Sequence, residues 1–107
     1  MPRTNAPEAD TKFSESALLV LAALAGGAKH GYAIIQEIER EAAQRMGPGT
    51  LYGIISRLEG ASLIEPLEME ERGRVPYQIT AAGRRVLNEQ LANLRRYQTV
   101  LKALAAR

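Results

Sequence analysis

Residues 47–60 read GPGTLYGIISRLEG, and this stretch decides how the rest of the 107-residue chain is interpreted. Gly47 interrupts the preceding pattern, and Pro48 suits the first position of a helix, where its missing N–H has no partner to lose. Apolar residues then recur at spacings of three and four, which predicts a helix with one stripe facing a core. The stripe consists of Leu51, Ile54, Ile55 and Leu58.

The opposite side of this predicted helix is poor in helix-forming residues. At about 100° per residue, that side carries three glycines and a serine, namely Gly49, Gly53, Ser56 and Gly60. Each glycine costs up to about 1 kcal/mol of helix stability against alanine. Such a face is typical of a surface that a large partner approaches closely. A loosely built surface helix is the alternative when this segment is taken alone.

The residues before this helix predict two further helices. Ser14 is a good N-cap for a first helix that runs to about residue 25 and ends at a pair of glycines. Because this helix is apolar nearly all round, we expect it at the centre of the core. A second helix begins near His30 or Gly31 and continues to about Met46. The short interval before the third helix then predicts a helix-turn-helix pair.

The residues after the third helix predict a β-hairpin and a long last helix. Apolar and polar residues alternate over 75–79, and a less regular strand over 63–67 lies across a charged tip that contains Gly73. Thr80 caps a helix over 81–105, which would be roughly 36 Å long at 1.5 Å per residue. Three helices followed by a hairpin predict a winged helix-turn-helix, a mainly α fold with a small β-hairpin (α+β).

The last helix is too long for the preceding domain to cover. Its apolar stripe would stay exposed unless it packed on another chain. We therefore expect a dimerisation helix that uses Leu87, Leu91, Leu94, Tyr97, Leu101 and Leu104. The predicted organisation is a flexible N-terminal arm over 1–12, a winged helix-turn-helix domain over 13–80 and a C-terminal dimerisation helix over 81–107.

Composition excludes several classes of function. The chain has no cysteine and a single histidine, His30, so neither a disulfide framework nor a Cys/His metal site is expected within one chain. The longest apolar run, 17–25, is far shorter than the roughly 20 residues that span a bilayer, and no signal-peptide pattern precedes it. No catalytic constellation or phosphate-binding loop is recognisable. We expect a cytoplasmic protein that is not an enzyme, needs no cofactor or metal and has no membrane partner.

Charge is distributed unevenly along the chain. Residues 1–71 carry six basic and eleven acidic side chains, a net charge of −5, whereas residues 72–107 carry eight basic side chains and one acidic, a net charge of +7. The basic second part indicates a polyanionic partner. On charge alone, a solvated basic helix with no partner is an equally good interpretation.

The architecture itself predicts where DNA would be contacted. In a winged helix-turn-helix, the helix after the turn enters the major groove, and the hairpin tip contacts the backbone or the minor groove. The predicted contacts are Gly49, Thr50, Tyr52, Gly53, Ser56, Arg57, Arg72, Gly73 and Arg74. Arg57 could instead pair with a nearby acid. For Tyr32 packing is favoured over DNA contact, and His30 is expected to start the second helix.

Six short motifs, in order, give the chain a family resemblance. They are LLVLAAL at 18–24, HGY at 30–32, PGTLY at 48–52, RLE at 57–59, LIE at 63–65 and YQITAAG at 77–83. Over about residues 14–105 the chain resembles the PadR-type transcriptional regulators, and its single long helix after the wing resembles their short-tailed branch. The resemblance implies a homodimeric repressor that binds a roughly palindromic operator in double-stranded DNA. For some members it also implies relief of repression by a small-molecule effector.

Two departures from the family pattern keep another class of function open. The family often has a Lys or Arg and a paired aromatic just before the Ile/Leu-Thr step, whereas here Val75 and Pro76 precede a single Tyr77. In addition, Glu68, Glu70 and Glu71 lie beside the wing tip. These acids favour the alternative of a winged-helix adaptor that binds proteins and has lost DNA binding. A small-molecule sensor whose output is not DNA binding is a second alternative.

Overall fold

The computed structural model describes residues 13–107, so the arm predicted over 1–12 lies outside the described residues. The described residues form four α-helices, three β-strands and one turn of 3₁₀-helix. In chain order these are α1 Glu15–Ala25, β1 Lys29–His30, α2 Gly31–Ala42, α3 Pro48–Gly60, β2 Ile64–Pro66, the 3₁₀ turn Glu71–Gly73, β3 Pro76–Ile79 and α4 Ala81–Ala105. The fold is mainly helical with a small antiparallel sheet, which confirms the predicted class.

Helix α1 forms the centre of the domain, because it packs against α2, α3, α4 and β3. It begins where the sequence predicts, at an N-cap in which the Ser14 hydroxyl accepts a hydrogen bond from the amide of Ala17 at 3.1 Å. Val20, Leu21 and Leu24 are buried completely or nearly so. The near-continuous apolar sequence of α1 is thus explained by neighbours on several sides.

Helix α2 ends earlier than the sequence predicts. The prediction extended it to about Met46, whereas its last helical residue is Ala42. Ala43 adopts a left-handed conformation with φ of 52°, and its amide donates to the carbonyl of Glu39 at 3.1 Å. The chain turns here because Met46 is buried in the core, with only 5% of its surface exposed, immediately before α3 begins.

Helix α3 begins at Pro48, as predicted, and its apolar stripe faces the core. Leu51, Ile54, Ile55 and Leu58 are each at most 2% exposed. The opposite face of α3 is exposed along its whole length. The sequence pattern therefore assigned the inner and outer faces of this helix correctly.

The sheet has three strands in the order β1-β3-β2, all antiparallel, where the sequence predicted a two-stranded hairpin. Strands β2 and β3 form that hairpin, with Ile64 opposite Ile79. Strand β1 adds Lys29 opposite Tyr77 on the other edge of β3. Because β1 contains only two residues, it has no alternation of apolar and polar side chains from which a strand could be predicted.

Helix α4 is anchored by its first turn. The Thr80 hydroxyl accepts a hydrogen bond from the amide of Gly83 at 3.0 Å and donates to the carbonyl of Ser62 at 2.8 Å. The amide of Thr80 donates to the carbonyl of Leu63 at 3.0 Å. These bonds fix the start of α4 to the base of the hairpin, and residues 91–107 then extend away from the domain and are exposed.

Candidate nucleic-acid interface

The outer face of α3 gathers six of the nine predicted DNA contacts on one exposed surface. They are Gly49, Thr50, Tyr52, Gly53, Ser56 and Arg57. A β-carbon placed on Gly49 or Gly53 would meet no atom within 4 Å. The fold of the chain therefore does not require glycine at either position. Alanine at these positions would make a more stable helix.

The start of α3 is suited to an anion. Gly47 is its N-cap and provides no side-chain hydrogen bond, and the first turn contains no acidic residue. The first amides of a helix lack intrahelical partners, and the helix dipole favours negative charge beside them. Thr50 is exposed in this first turn, so its hydroxyl is accessible at the same end of the helix. The arrangement is one that commonly receives a phosphate.

The other three predicted contacts lie at the tip of the hairpin that connects β2 to β3. Arg72, Gly73 and Arg74 are all exposed. The tip is closed by a hydrogen bond from the amide of Glu70 to the carbonyl of Arg74 at 2.7 Å. Arg72 and Gly73 both have positive φ, 71° and 74°, and for an arginine this is an uncommon conformation. The tight turn that results presents two guanidinium groups from three consecutive residues.

A cleft of about 270 Å³ separates the face of α3 from the hairpin tip. It brings three of the predicted contacts together, Tyr52 from α3 with Gly73 and Arg74 from the tip. Two further side chains in its lining, those of His30 and Tyr32, come from the start of α2 and are not among the predicted contacts. Their signal in the sequence is the HGY motif at 30–32, in which Tyr32 is predicted to pack and His30 to start the helix.

His30 and Arg74 are joined across this cleft. Nη1 of Arg74 lies 3.2 Å from Nε2 of His30. Arginine carries only donors, so Nε2 of His30 must accept and the ring proton must be on Nδ1. His30 is the residue that precedes α2, as predicted, but its side chain makes no capping hydrogen bond to the helix. Its imidazole is directed to the hairpin instead.

Tyr77 forms the floor of the cleft from strand β3. Burial raises the pKa of its hydroxyl, and the nearby charge of Glu59 and the neighbouring Tyr52 raise that pKa further. A tyrosine hydroxyl is neutral and able to donate at physiological pH, and the raised pKa extends that state to more alkaline pH. Tyr52 leans across the start of α2, and its hydroxyl lies directly over Gly31, where no side chain intervenes.

Within the described residues, the predicted basic contacts form no ion pairs. Within residues 13–107, the ion pairs are Lys29 with Glu37 and Arg40 with Glu37 and Glu41, and none of them includes Arg57, Arg72 or Arg74. The alternative in which Arg57 pairs with an acid is therefore not what this part of the chain adopts. Exposed acids Glu68, Glu70 and Glu71 do accompany the hairpin tip, as their positions in the sequence suggested.

The predicted dimerisation residues fall into two groups on α4. Leu87 is half-buried and packs against the core of its own chain. Leu91, Leu94, Tyr97, Leu101 and Leu104 are between 49% and 62% exposed. Apolar side chains in a continuous stripe of this length are uncommon on an isolated soluble domain.

Across 13–107, no cluster of three or more His, Cys, Asp or Glu side chains is close enough to hold a metal ion. None of the helices over the same residues combines the length and the apolar character needed to cross a bilayer.

A three-helix core, an exposed third helix and a hairpin beside it define a winged helix-turn-helix protein. The model of the transcriptional regulator PadR-like family matches residues 20–89, and the chain belongs to this family. This confirms the resemblance that the six sequence motifs carry.

Individual relatives agree with this assignment. Over 85 residues the chain is 45% identical to an uncharacterised 37.1 kDa protein of a Streptomyces fradiae transposon, a match to 79% of this chain and 24% of that protein. Over 62 residues it is 40% identical to the transcriptional regulator Rv3488 of Mycobacterium tuberculosis, a match to 56% of this chain and 57% of the regulator. The chain thus spans about a quarter and somewhat over half of these curated relatives.

A solved structure shows the same fold. A PadR-like transcription factor from Bacteroides fragilis superposes with a TM-score of 0.78 at 20% identity, and the match covers 95% of this chain and 99% of that one. Because the identity is low, this likeness concerns the arrangement of the elements, including the long last helix.

Proposed function

We propose that this chain is a homodimeric transcriptional repressor that binds double-stranded DNA and has no catalytic activity. The observation that carries the proposal is the outer face of α3. Gly49 and Gly53 have open space around them, so they are dispensable for the fold, and they leave the helix backbone accessible. A partner as large as a DNA duplex accounts for glycines that the fold itself does not need.

The mode of binding follows from which side chains this face offers. Thr50 and Tyr52 carry hydroxyls for phosphates, while Arg57 is the one long basic side chain that could reach a guanine edge. With so few side chains able to read bases, we expect close fit of the helix backbone in the major groove. Sequence preference would then come largely from DNA shape and from the spacing of half-sites.

The exposed stripe of α4 supports the homodimer. A second copy would bury the side chains that stand exposed from Leu91 to Leu104. A two-fold dimer presents two identical α3 helices, so the operator would be roughly palindromic, with half-sites about one helical turn apart or a multiple of it. Relief of repression by a small-molecule effector stays a prediction that rests on the family resemblance.

Selection of bound duplexes from a random pool tests this proposal most directly, since it asks for binding and half-site spacing together. We expect an inverted repeat, bound with an affinity that falls steeply as salt rises, because phosphate contacts release counterions. Recovery of no enriched sequence, together with no binding to any duplex at about 50 mM salt, would contradict the proposal.

A protein-binding adaptor is the second candidate, and the exposed acids Glu68, Glu70 and Glu71 at the hairpin tip favour it. They would repel phosphates if they faced DNA. Replacing all three with glutamine separates the candidates. A DNA-binding protein gains affinity for duplexes and keeps its sequence preference, whereas an adaptor shows no duplex binding before or after the change.

A further inference from the structure

The cleft between α3 and the hairpin tip combines charge, hydroxyl groups and open space in a way that the predicted contact set does not explain. Its side chains come from three segments distant in sequence: His30 and Tyr32 at the start of α2, Tyr52 on α3, and Arg74 with Tyr77 on the hairpin. None of the residues that line it is acidic. An anion is therefore the ligand that its chemistry favours.

The donors of this cleft are available. Within the described residues, Arg74 uses its Nη1 atom for His30 and forms no ion pair, so most of the five N–H donors of its guanidinium are free. Over the same residues, the hydroxyls of Tyr32 and Tyr52 have no protein partner in the hydrogen-bond network, and the two side chains are 64% and 50% exposed. An arginine fork beside hydroxyl donors matches the oxygens of a phosphate.

We propose that this cleft holds one backbone phosphate of the bound duplex, with Arg74, Tyr32 and Tyr52 as the groups that contact it and His30 as the residue that positions Arg74. The inference rests on the proposed function, because the cleft lies between the two elements expected to straddle the DNA backbone. It reverses the sequence-based interpretation of Tyr32, which favoured packing. At 64% exposure, the ring of Tyr32 contributes little to the core.

His30 acts through Arg74 and not through the ligand. By accepting a hydrogen bond at 3.2 Å, its Nε2 atom holds Nη1 of Arg74, a residue that also lines the cleft, and leaves the other N–H groups of the guanidinium available. Without that acceptor, the exposed Arg74 side chain would sample several rotamers, and part of its charge would be lost to the site. Glutamine offers an acceptor oxygen of similar reach, so His30→Gln should retain what His30→Ala removes.

The test measures binding of the full chain to a 20-base-pair duplex over a series of salt concentrations. Tyr32→Phe is expected to weaken binding roughly fivefold, the effect of one lost hydrogen bond. Arg74→Gln should lower the slope of log affinity against log salt by about one. Arg40→Gln is the matched control, since Arg40 lies on the outer side of α2 beside Glu37 and Glu41.

The positioning role of His30 has its own signature. We expect His30→Ala to lower the salt slope as Arg74→Gln does. The double variant should lose no more affinity and slope than Arg74→Gln alone. His30→Gln should keep the wild-type slope. A residue that merely supported the fold would change the melting temperature and would act additively with Arg74. Thermal melting of each variant is measured alongside binding.

The outcomes separate this inference from the proposed function. The wild-type chain could bind the duplex with a steep salt slope while Tyr32→Phe and Arg74→Gln behave like Arg40→Gln. That result would overturn the phosphate site in the cleft and leave the proposal of DNA binding intact. If no duplex binds at low salt, both the phosphate site and the proposed DNA-binding function are contradicted. A third arm titrates inorganic phosphate alone and follows the tyrosine ring resonances. The proposal would be overturned if the resonance shifts of Tyr32 and Tyr52 saturate with phosphate while Tyr32→Phe and Arg74→Gln leave duplex binding unchanged. The cleft would then be assigned to a free anion.

Discussion

Gly83 of α4 lies against the carbonyl oxygen of Leu63, so closely that a β-carbon at position 83 would overlap that oxygen. On the other side, such an atom would be 2.7 Å from Cγ1 of Ile79. The same Leu63 carbonyl accepts the amide of Thr80. The backbone of the last helix therefore packs directly on the base of the hairpin, and glycine is what allows it.

We expect Gly83→Ala to destabilise the fold by about 3 kcal/mol, because neither the carbonyl nor the buried Ile79 can move aside without shifting the backbone. The free energy of unfolding from chemical denaturation measures this. Gly60→Ala, where the added carbon meets nothing within 4 Å, is the control and should lose no stability. Equal stability of the two variants would refute the close packing of α4 on the hairpin.

Gly31→Ala should have a smaller effect on stability and a clear effect on DNA binding. The added carbon would collide with the hydroxyl end of Tyr52, a half-exposed side chain that can swing away, and would be 3.2 Å from Cδ2 of Leu51. We expect a loss of about 1 kcal/mol of stability and weaker duplex binding as Tyr52 leaves its place. Wild-type affinity in this variant would mean that the position of Tyr52 is unimportant for DNA.

Gly53→Ala should separate stability from function. Alanine at this open position in the middle of α3 should raise the free energy of unfolding by up to about 1 kcal/mol, since glycine is the poorer helix former. The same methyl group should weaken duplex binding if the helix backbone approaches DNA closely. Calorimetry and a binding titration on one preparation give both values, and stabilisation with unchanged binding would argue against close approach.

Leu94→Lys or Leu101→Lys should yield monomers, because each places a charge in the stripe that we assign to the dimer. Analytical ultracentrifugation gives the oligomeric state directly. Ala92→Lys is the control, since at about 100° per residue Ala92 lies on the opposite side of α4 from both leucines. An intact dimer for both leucine variants would place the interface elsewhere.

The raised pKa of Tyr77 predicts how stability depends on alkaline pH. The unfolded chain ionises this tyrosine near its ordinary pKa of 10.0, before the folded chain does, so the folded state holds the proton longer. Stability contributed by the neutral hydroxyl is complete below about pH 10 and is lost as pH rises above it. Denaturation curves at a series of pH values should show a smaller alkaline decline for Tyr77→Phe than for the wild type.

The elements with strong local signals could be predicted from the sequence. Pro48 fixed the start of α3, Ser14 and Thr80 supplied side-chain caps, and the spacing of apolar residues assigned the inner face of α3. Each of these signals operates within one or two helical turns, where neighbours in sequence are also neighbours in space. The order of the helices and of the two hairpin strands also agrees with the prediction.

The features that were missed depend on partners far away in sequence. Strand β1 exists because β3 pairs with it, and α2 stops at Ala42 because Met46 is needed in the core. The cleft could not be predicted for the same reason. His30 and Arg74 are 44 residues apart, and no local pattern in the sequence indicates that they are neighbours in space. The residues predicted to contact DNA are exposed on α3 and at the hairpin tip, but the prediction did not include the residues that lie between them.

The exposed outer half of α4 makes the helicity of this segment depend on the concentration of the protein. Within the described part of the chain, residues 91–107 are exposed, and an isolated helix of that length is marginal in water. We expect their helicity to rise with protein concentration as second copies associate. On this view a small change in cellular abundance near the dissociation constant of the dimer would produce a disproportionate change in operator occupancy, so the copy number of the protein would itself act as a control variable.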